Sequence, residues 1–215
     1  MIAREGVGLL TAMGGAAVGV SFATGPTVAT VVVWLFTIAA IWIYYERKPN
    51  CPAAPHALIC PLAGSVERID RCWNPWLNGN CLRVRVKVTA PFIGTVWSPT
   101  EGKILEFWTK AAAFDGPAGR PVDGESPNCY ALHIQTDEGQ DAVLALSSAW
   151  PISRLKLDVG PGNRAGQGRR LGFCYFIGYA DLLIDPGSCP RVSVGDKVSA
   201  GESVLAAFTD REPHA

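Results

Sequence analysis

Any chemistry in this chain has to come from few side chains. Its three histidines are His56, His133 and His214. His56 lies in a proline-rich stretch, His133 sits within Ala-Leu-His-Ile-Gln, and His214 is the penultimate residue. None stands in a local signature of nucleophile, base and orienting acid. The seven cysteines are Cys51, Cys60, Cys72, Cys81, Cys129, Cys174 and Cys189. They form no Cys-x-x-Cys and no His-flanked pair, so their spacing encodes no metal site. They read as free thiols and small buried hydrophobes. In an oxidising compartment Cys72 and Cys81 are the first disulfide candidates.

The elements that carry these groups are strands. Leu82, Val84, Val86 and Val88 alternate with Arg83, Arg85, Lys87 and Thr89, the period of a strand with one buried face. Further runs are 104–108, 130–136, 142–146, 171–177, 180–184 and 204–208, set apart by turns such as Asp115-Gly116-Pro117, Asp137-Glu138-Gly139, Gly160-Pro161-Gly162 and Asp185-Pro186-Gly187. Many short strands with such punctuation predict an all-β sandwich or barrel, and no long amphipathic helix is expected after residue 46. Arg83, Arg85 and Lys87 share a face that could meet anionic lipid headgroups, at about 1 kcal/mol per near-surface cation. A solvated face or a charge-protected edge explains the same pattern and is preferred.

Ahead of the strands, residues 7–45 carry no charge. Thr24-Gly25-Pro26 splits this stretch into a Gly/Ala-rich half and a half rich in Val, Ile and Trp. A crossing helix needs about 20 apolar residues, so the second half qualifies and the first is slightly short. A membrane hairpin is predicted. Arg4 before it and Arg47 and Lys48 after it place both ends, and the β domain, on the cytoplasmic face of the inner membrane. Gly8, Ala12, Gly15, Ala16 and Gly19 form a small-residue face for the second helix or a partner helix. A formal charge of zero over 215 residues excludes a nucleic-acid footprint. The division expected is a helical hairpin over 1–48, a proline-rich linker over 49–57, a β domain over 58–210 and a tail over 211–215.

Several fragments, in order, resemble the phosphatidylserine decarboxylases, in particular the short bacterial and archaeal type. The opening Met-Ile-Ala-Arg-Glu-Gly with its apolar hairpin resembles that family's anchor. Tyr44-Tyr45-Glu46-Arg47-Lys48-Pro49 stands where the family has Phe-Phe-Arg-Asp-Pro. Cys60-Pro61-Leu62-Ala63-Gly64-Ser65-Val66 is similar to its Ser-Pro-Ala-Asp-Gly-x-Val, and Ser98-Pro99-Thr100-Glu101-Gly102 to its Arg-x-Pro-x-x-Gly. Residues 168–181 resemble the segment ending in Phe-Gly-Ser-x-x-Asp, and the close from Val194 to Ala206 matches well. The resemblance implies a β-rich domain behind a two-helix anchor. It also implies a proenzyme that cleaves itself before a serine, which becomes a pyruvoyl group acting as electron sink.

Three positions depart from that pattern. The family's serine falls on Gly178, its aspartate on Ala63 and its histidine on Gly94. These substitutions lead to the expectation of a non-catalytic relative, with no enzyme activity and no pyruvoyl group. Such a pseudoenzyme would serve as accessory subunit of a membrane complex, with membrane phospholipid and protein partners. Two alternatives stand beside it. One is an active decarboxylase whose cleavage site has moved to Gly187-Ser188, although Ser188 reads as a satisfied turn serine without a nearby base. The other is a phospholipid-headgroup binder. The tail motif also occurs in lipoyl and biotinyl domains, but their Met-Lys-Met hairpin is lacking.

Overall fold

The computed structural model describes residues 4–25, 27–45, 48–52, 54, 56–89, 93–109, 129–148, 150 and 152–209. The chain divides into two compact units, Met1–Lys48 and Pro49–Ala215. Helix α1 runs over Arg4–Thr24 and α2 over Val28–Ile43, joined at Gly25, whose φ of +64° suits glycine.

Of the two helices, α1 is the one long and apolar enough to cross a membrane, over Gly6–Ala23; the apolar run of α2, Val28–Trp42, is shorter. The expected order of lengths is therefore reversed. Helix α1 reaches back to Arg4, adding a turn that the charge-free stretch does not include, whereas α2 starts only after its N-cap Thr27 and leaves helical geometry at Tyr44. The helices pack through Gly6, where a Cβ would lie 2.5 Å from the Tyr44 ring, and Trp34 Nε1 donates to Ser21 Oγ at 3.2 Å. Gly8, Ala12, Gly15, Ala16 and Gly19 instead face outward, and a Cβ at Gly8, Gly15 or Gly19 would meet nothing within 4 Å.

The second unit is built of fourteen described strands in three antiparallel sheets. The large sheet has the order β13 (Lys197–Val198), β2 (Gly64–Asn74), β3 (Gly79–Val88), β11 (Tyr179–Ile184), β7 (Asp141–Ser147), β6 (Cys129–Gln135), β5 (Gly102–Thr109) and β9 (Arg164–Ala165). One small sheet orders β4 (Gly94–Trp97), β10 (Arg170–Tyr175) and β8 (Arg154–Leu157). The other orders β1 (Ala57–Ile59), β14 (Val204–Ala207) and β12 (Cys189–Pro190). Leu58, Val84, Ile104, Leu144, Leu171 and Leu205 belong to the core they enclose. No helix follows α2 among the described residues.

Strand β3 departs from the one-faced reading. Every residue from Cys81 to Val86 is buried, because its second face is covered too. Arg83 lies against Asp70, with Nη2 2.6 Å from Oδ2, and Arg85 against Asp181, with Nε 2.7 Å from Oδ1. The two arginines are 1% and 4% exposed. A lipid headgroup would have to displace a carboxylate to reach either, and Lys87 is the exposed cation of the three. The reason is cross-strand charge pairing: β2 and β11 flank β3 and set acids opposite its cations.

Candidate active site

The three family positions that depart from the pattern fall in two places. The backbone joins Ala63 and Gly178 through the end of β3: Thr89 N–H donates to Ala63 O at 3.1 Å and Val88 N–H to Gly178 O at 2.9 Å. Gly178 N–H in turn donates to Ser147 O at 3.0 Å. Gly94 sits in the neighbouring small sheet, opposite Cys174, whose thiol donates to Gly94 O at 3.2 Å. Beside Gly178, Phe176 holds a φ of +55°, an unfavourable conformation for a bulky residue. The Ser148 hydroxyl donates to the Phe176 carbonyl, and the Trp150 ring stacks on Phe176 at 6.1 Å. This corner supplies shape and strain, but Gly178 itself offers no hydroxyl.

Two Gly-Ser pairs occur in the sequence. Gly64-Ser65 is part of β2, where Ser65 pairs with Lys87 on one side and Lys197 on the other, so a break there would cut the large sheet. Gly187-Ser188 lies in a turn. Asp185 shapes that turn: its Oδ1 accepts from Gly187 N–H at 2.8 Å, and its carbonyl accepts from Ser188 N–H at 3.0 Å.

Ser188 is not the satisfied turn serine that its sequence context suggests. It is buried, and its Oγ has no hydrogen-bond partner among the described residues. A buried hydroxyl without a partner costs about 1–3 kcal/mol, so its retention calls for a reason. The carbonyl it would attack is already engaged, since Thr209 Oγ1 donates to Gly187 O at 2.7 Å. That is the position of a donor that stabilises an oxyanion as the carbonyl is attacked.

A cleft of about 280 Å³ is lined among others by His56, Thr100, Glu101, Gln140, Gln167 and Phe208, the last preceding Thr209 in sequence. Gln140 Nε2 donates to Thr209 O at 3.2 Å, while its Oε1 is buried without a partner among the described residues. Ladder pairing brings His56 here: Phe208 N–H donates to His56 O at 2.9 Å, and β1 and β12 flank β14 on either side. In the sequence His56 reads as a linker residue, and Thr209 and Gln140 carry no local signal. His133 serves elsewhere, with Nε2 2.8 Å from Asp141 Oδ1 and its ring stacked on Trp108. His214 and the turn at 115–117 lie outside the described residues, as do 46, 47 and 92 and the expected tail at 211–215.

The chain is similar along nearly its whole length to phosphatidylserine decarboxylase proenzymes. It is 28% identical over 208 residues to the one from Nitrosomonas eutropha, covering 97% of this chain and 95% of that protein. The one from Nitrosomonas europaea is 29% identical over the same span, and that from Aromatoleum aromaticum is 26% identical over 173 residues, 80% of each chain. The resemblance read from the sequence is thus carried by curated relatives at 26–29% identity over most of the chain. No family model and no solved structure matches it.

The names of these relatives correct the reading drawn from Ala63, Gly94 and Gly178. A non-catalytic accessory subunit without a pyruvoyl group was expected, yet the relatives that share its full length are named as proenzymes. Expectations of no enzyme and no cofactor fall with it. That reading assumed that the hydroxyl must stand at the aligned position. A displaced site needs a serine whose preceding carbonyl is polarised, and the turn at Ser188 presents that pair.

Proposed function

We propose that this protein is a membrane-associated phosphatidylserine decarboxylase that matures by breaking its own chain between Gly187 and Ser188. The observation that carries the reading is the buried Ser188 hydroxyl, without a partner among the described residues, next to a carbonyl that already accepts a hydrogen bond from Thr209.

Attack of Ser188 Oγ on the Gly187 carbonyl carbon closes a small ring within one peptide unit, so no distant group has to deliver the nucleophile. The Thr209 hydroxyl donates to the oxygen on which charge develops. The Gly187–Ser188 C–N bond then breaks, leaving an ester between Gly187 and the Ser188 oxygen, and the hydroxyl proton passes to the freed nitrogen. The imidazole of His56, in the cleft that Gln140 and Phe208 also line, is assigned the proton transfer. Asp185 holds the turn while the ester forms. Elimination at Ser188, with its α-proton removed and Oγ leaving on the Gly187 carboxylate, then parts the two chains. Hydrolysis that releases the nitrogen as ammonia would leave a pyruvoyl group, which would supply the electron sink for decarboxylation. The Gln140 Oε1, without a partner among the described residues, is assigned to the amino group of the serine headgroup.

Apolar helix α1 supports attachment to the bilayer that holds the substrate. A two-helix anchor and a cytoplasmic β domain complete the proposal, and the outward small-residue face of α1 is assigned to lipid or a partner helix. Purified from membranes, the protein should run as two chains whose masses place the break between residues 187 and 188. It should also release carbon dioxide from phosphatidylserine vesicles. A single intact chain without that release refutes the proposal, and a break elsewhere moves the site.

A further inference from the structure

Cys72 and Cys81 stand directly opposite each other on β2 and β3, with their Sγ atoms 3.4 Å apart. They are 5% and 3% exposed and belong to a second apolar cluster with Ala131, Val143 and Leu183, packed under Trp76 and Trp108. Opposed residues of an antiparallel pair have Cα atoms about 4.5–5.5 Å apart, within the span of about 4.4–6.8 Å that a disulfide bridges. Moving from 3.4 Å to a bond of about 2.0 Å therefore asks for side-chain rotation and leaves the backbone in place.

The hairpin turn holds this register. Asn74 Oδ1 accepts from Trp76 N–H at 3.0 Å and from Leu77 N–H at 3.3 Å, and Asn78 takes the left-handed conformation at φ +50°. A slip by one residue would send the two thiols to opposite faces of the sheet.

We propose that Cys72 and Cys81 are a reversible dithiol–disulfide couple, closed by exchange with a low-molecular-weight disulfide. The two sulfurs are not equivalent. The hydrogen bond from Cys81 lowers the pKa of Cys72, with the Arg83 guanidinium acting in the same direction against the opposing effect of burial. Cys81 is pushed up, by the same hydrogen bond first and burial second. Cys72 is thus the attacking thiolate. It bonds to one sulfur of the external disulfide and expels the other as a thiolate. Cys81 then loses its proton, bonds to Cys72 Sγ and expels the second thiolate. Two protein thiols and one disulfide become one protein disulfide and two small thiols, so electrons and protons balance.

Closure would tie β2 to β3 beside the Arg83–Asp70 pair and fix the hairpin that carries the exposed Trp73 and Leu77. Trypsin offers a direct readout, because cutting after Arg71 and Arg83 leaves both cysteines in one peptide, residues 72–83. The full chain in detergent micelles is treated with oxidised glutathione, alkylated and digested without reductant. The expected result is a 72–83 peptide that carries no alkyl group and is lighter by two hydrogen atoms. In Cys81→Ser, glutathione should remain trapped on Cys72. A doubly alkylated 72–83 peptide, in a sample where the exposed Cys189 has reacted, overturns the proposal. The wild-type peptide decides the matter even where Cys81→Ser fails to fold.

Discussion

Arg85 and Asp181 meet across adjacent strands in a two-pronged pair, Nε to Oδ1 at 2.7 Å and Nη2 to Oδ2 at 2.9 Å, with neither residue more than 4% exposed. They are exact partners in the β3–β11 register, and the guanidinium also lies 5.4 Å from the centre of the Tyr179 ring. Such a pair sits where water cannot replace a missing partner. Arg85→Ala should therefore destabilise the β domain by about 3–5 kcal/mol, since it strands a buried carboxylate. Removing both charges with Arg85→Met and Asp181→Leu should recover most of that loss. Urea unfolding of the two variants measures the difference, and equal losses would mean that packing rather than charge is at stake.

The Thr209 hydroxyl should matter to chain breakage and little to folding. Thr209 is exposed, so Thr209→Val removes a donor to Gly187 O without opening a core cavity. Loss of one oxyanion donor typically slows acyl chemistry by about 100- to 1,000-fold. Pulse-labelled protein followed on gels should show precursor accumulating in Thr209→Val, and Ser188→Ala should never break. Normal processing of Thr209→Val would remove Thr209 from the mechanism.

Much of the β domain is legible in the sequence because residues 82–89 alternate and six further apolar, strand-like runs are set apart by Gly, Pro or Asp turns. Strand β2 is not among those runs. Its stretch Val66-Glu67-Arg68-Ile69-Asp70-Arg71 carries charges on both faces, and a register shift between Val66 and Arg68 breaks the period of two. The short strands β9, β12 and β13, of two residues each, are too brief to show any period. The site suffers from a different blindness. Thr209 meets Gly187 and Gln140, and His56 meets Phe208, only because β14 pairs with β1 and β12, and pairings between distant segments leave no trace in local spacing. Burial of the Ser188 oxygen, the observation that matters most, is likewise a property of the folded chain alone.

Three thiols make the domain sensitive to alkali. Burial pushes Cys60, Cys129 and Cys174 each up to about 12 from the ordinary 9.0. A raised folded pKa means that the native state keeps a proton the unfolded chain gives up. The stability it brings is complete below pH 9 and declines as pH rises toward about 12. Urea midpoints measured at rising pH across that window should fall, and Cys174→Ala should flatten the decline relative to wild type. An unchanged slope in that variant would assign alkaline unfolding to other groups.

The helical hairpin offers a sharp contrast between two glycines of one helix. At Gly6 a Cβ would lie 2.5 Å from the Tyr44 ring, closer than any real contact allows, so the ring must shift or the helices must part. At Gly15 there is nothing within 4 Å to meet. Overpacking a close contact costs about 1–3 kcal/mol, whereas an added side chain in open space should change little or add helix propensity. Gly6→Leu should thus loosen the pairing of α1 with α2, while Gly15→Leu leaves it intact. Cysteines placed at Thr24 and Val28 would confuse the turn, so the measurement is better made on spin labels at Ser21 and Trp34, which are hydrogen-bonded across the hairpin in the native chain. Their separation in bicelles should widen in Gly6→Leu and stay at the parent value in Gly15→Leu. The opposite ranking would mean that α2 lies against the small-residue face of α1, and that the helices pair through Gly15 and Gly19.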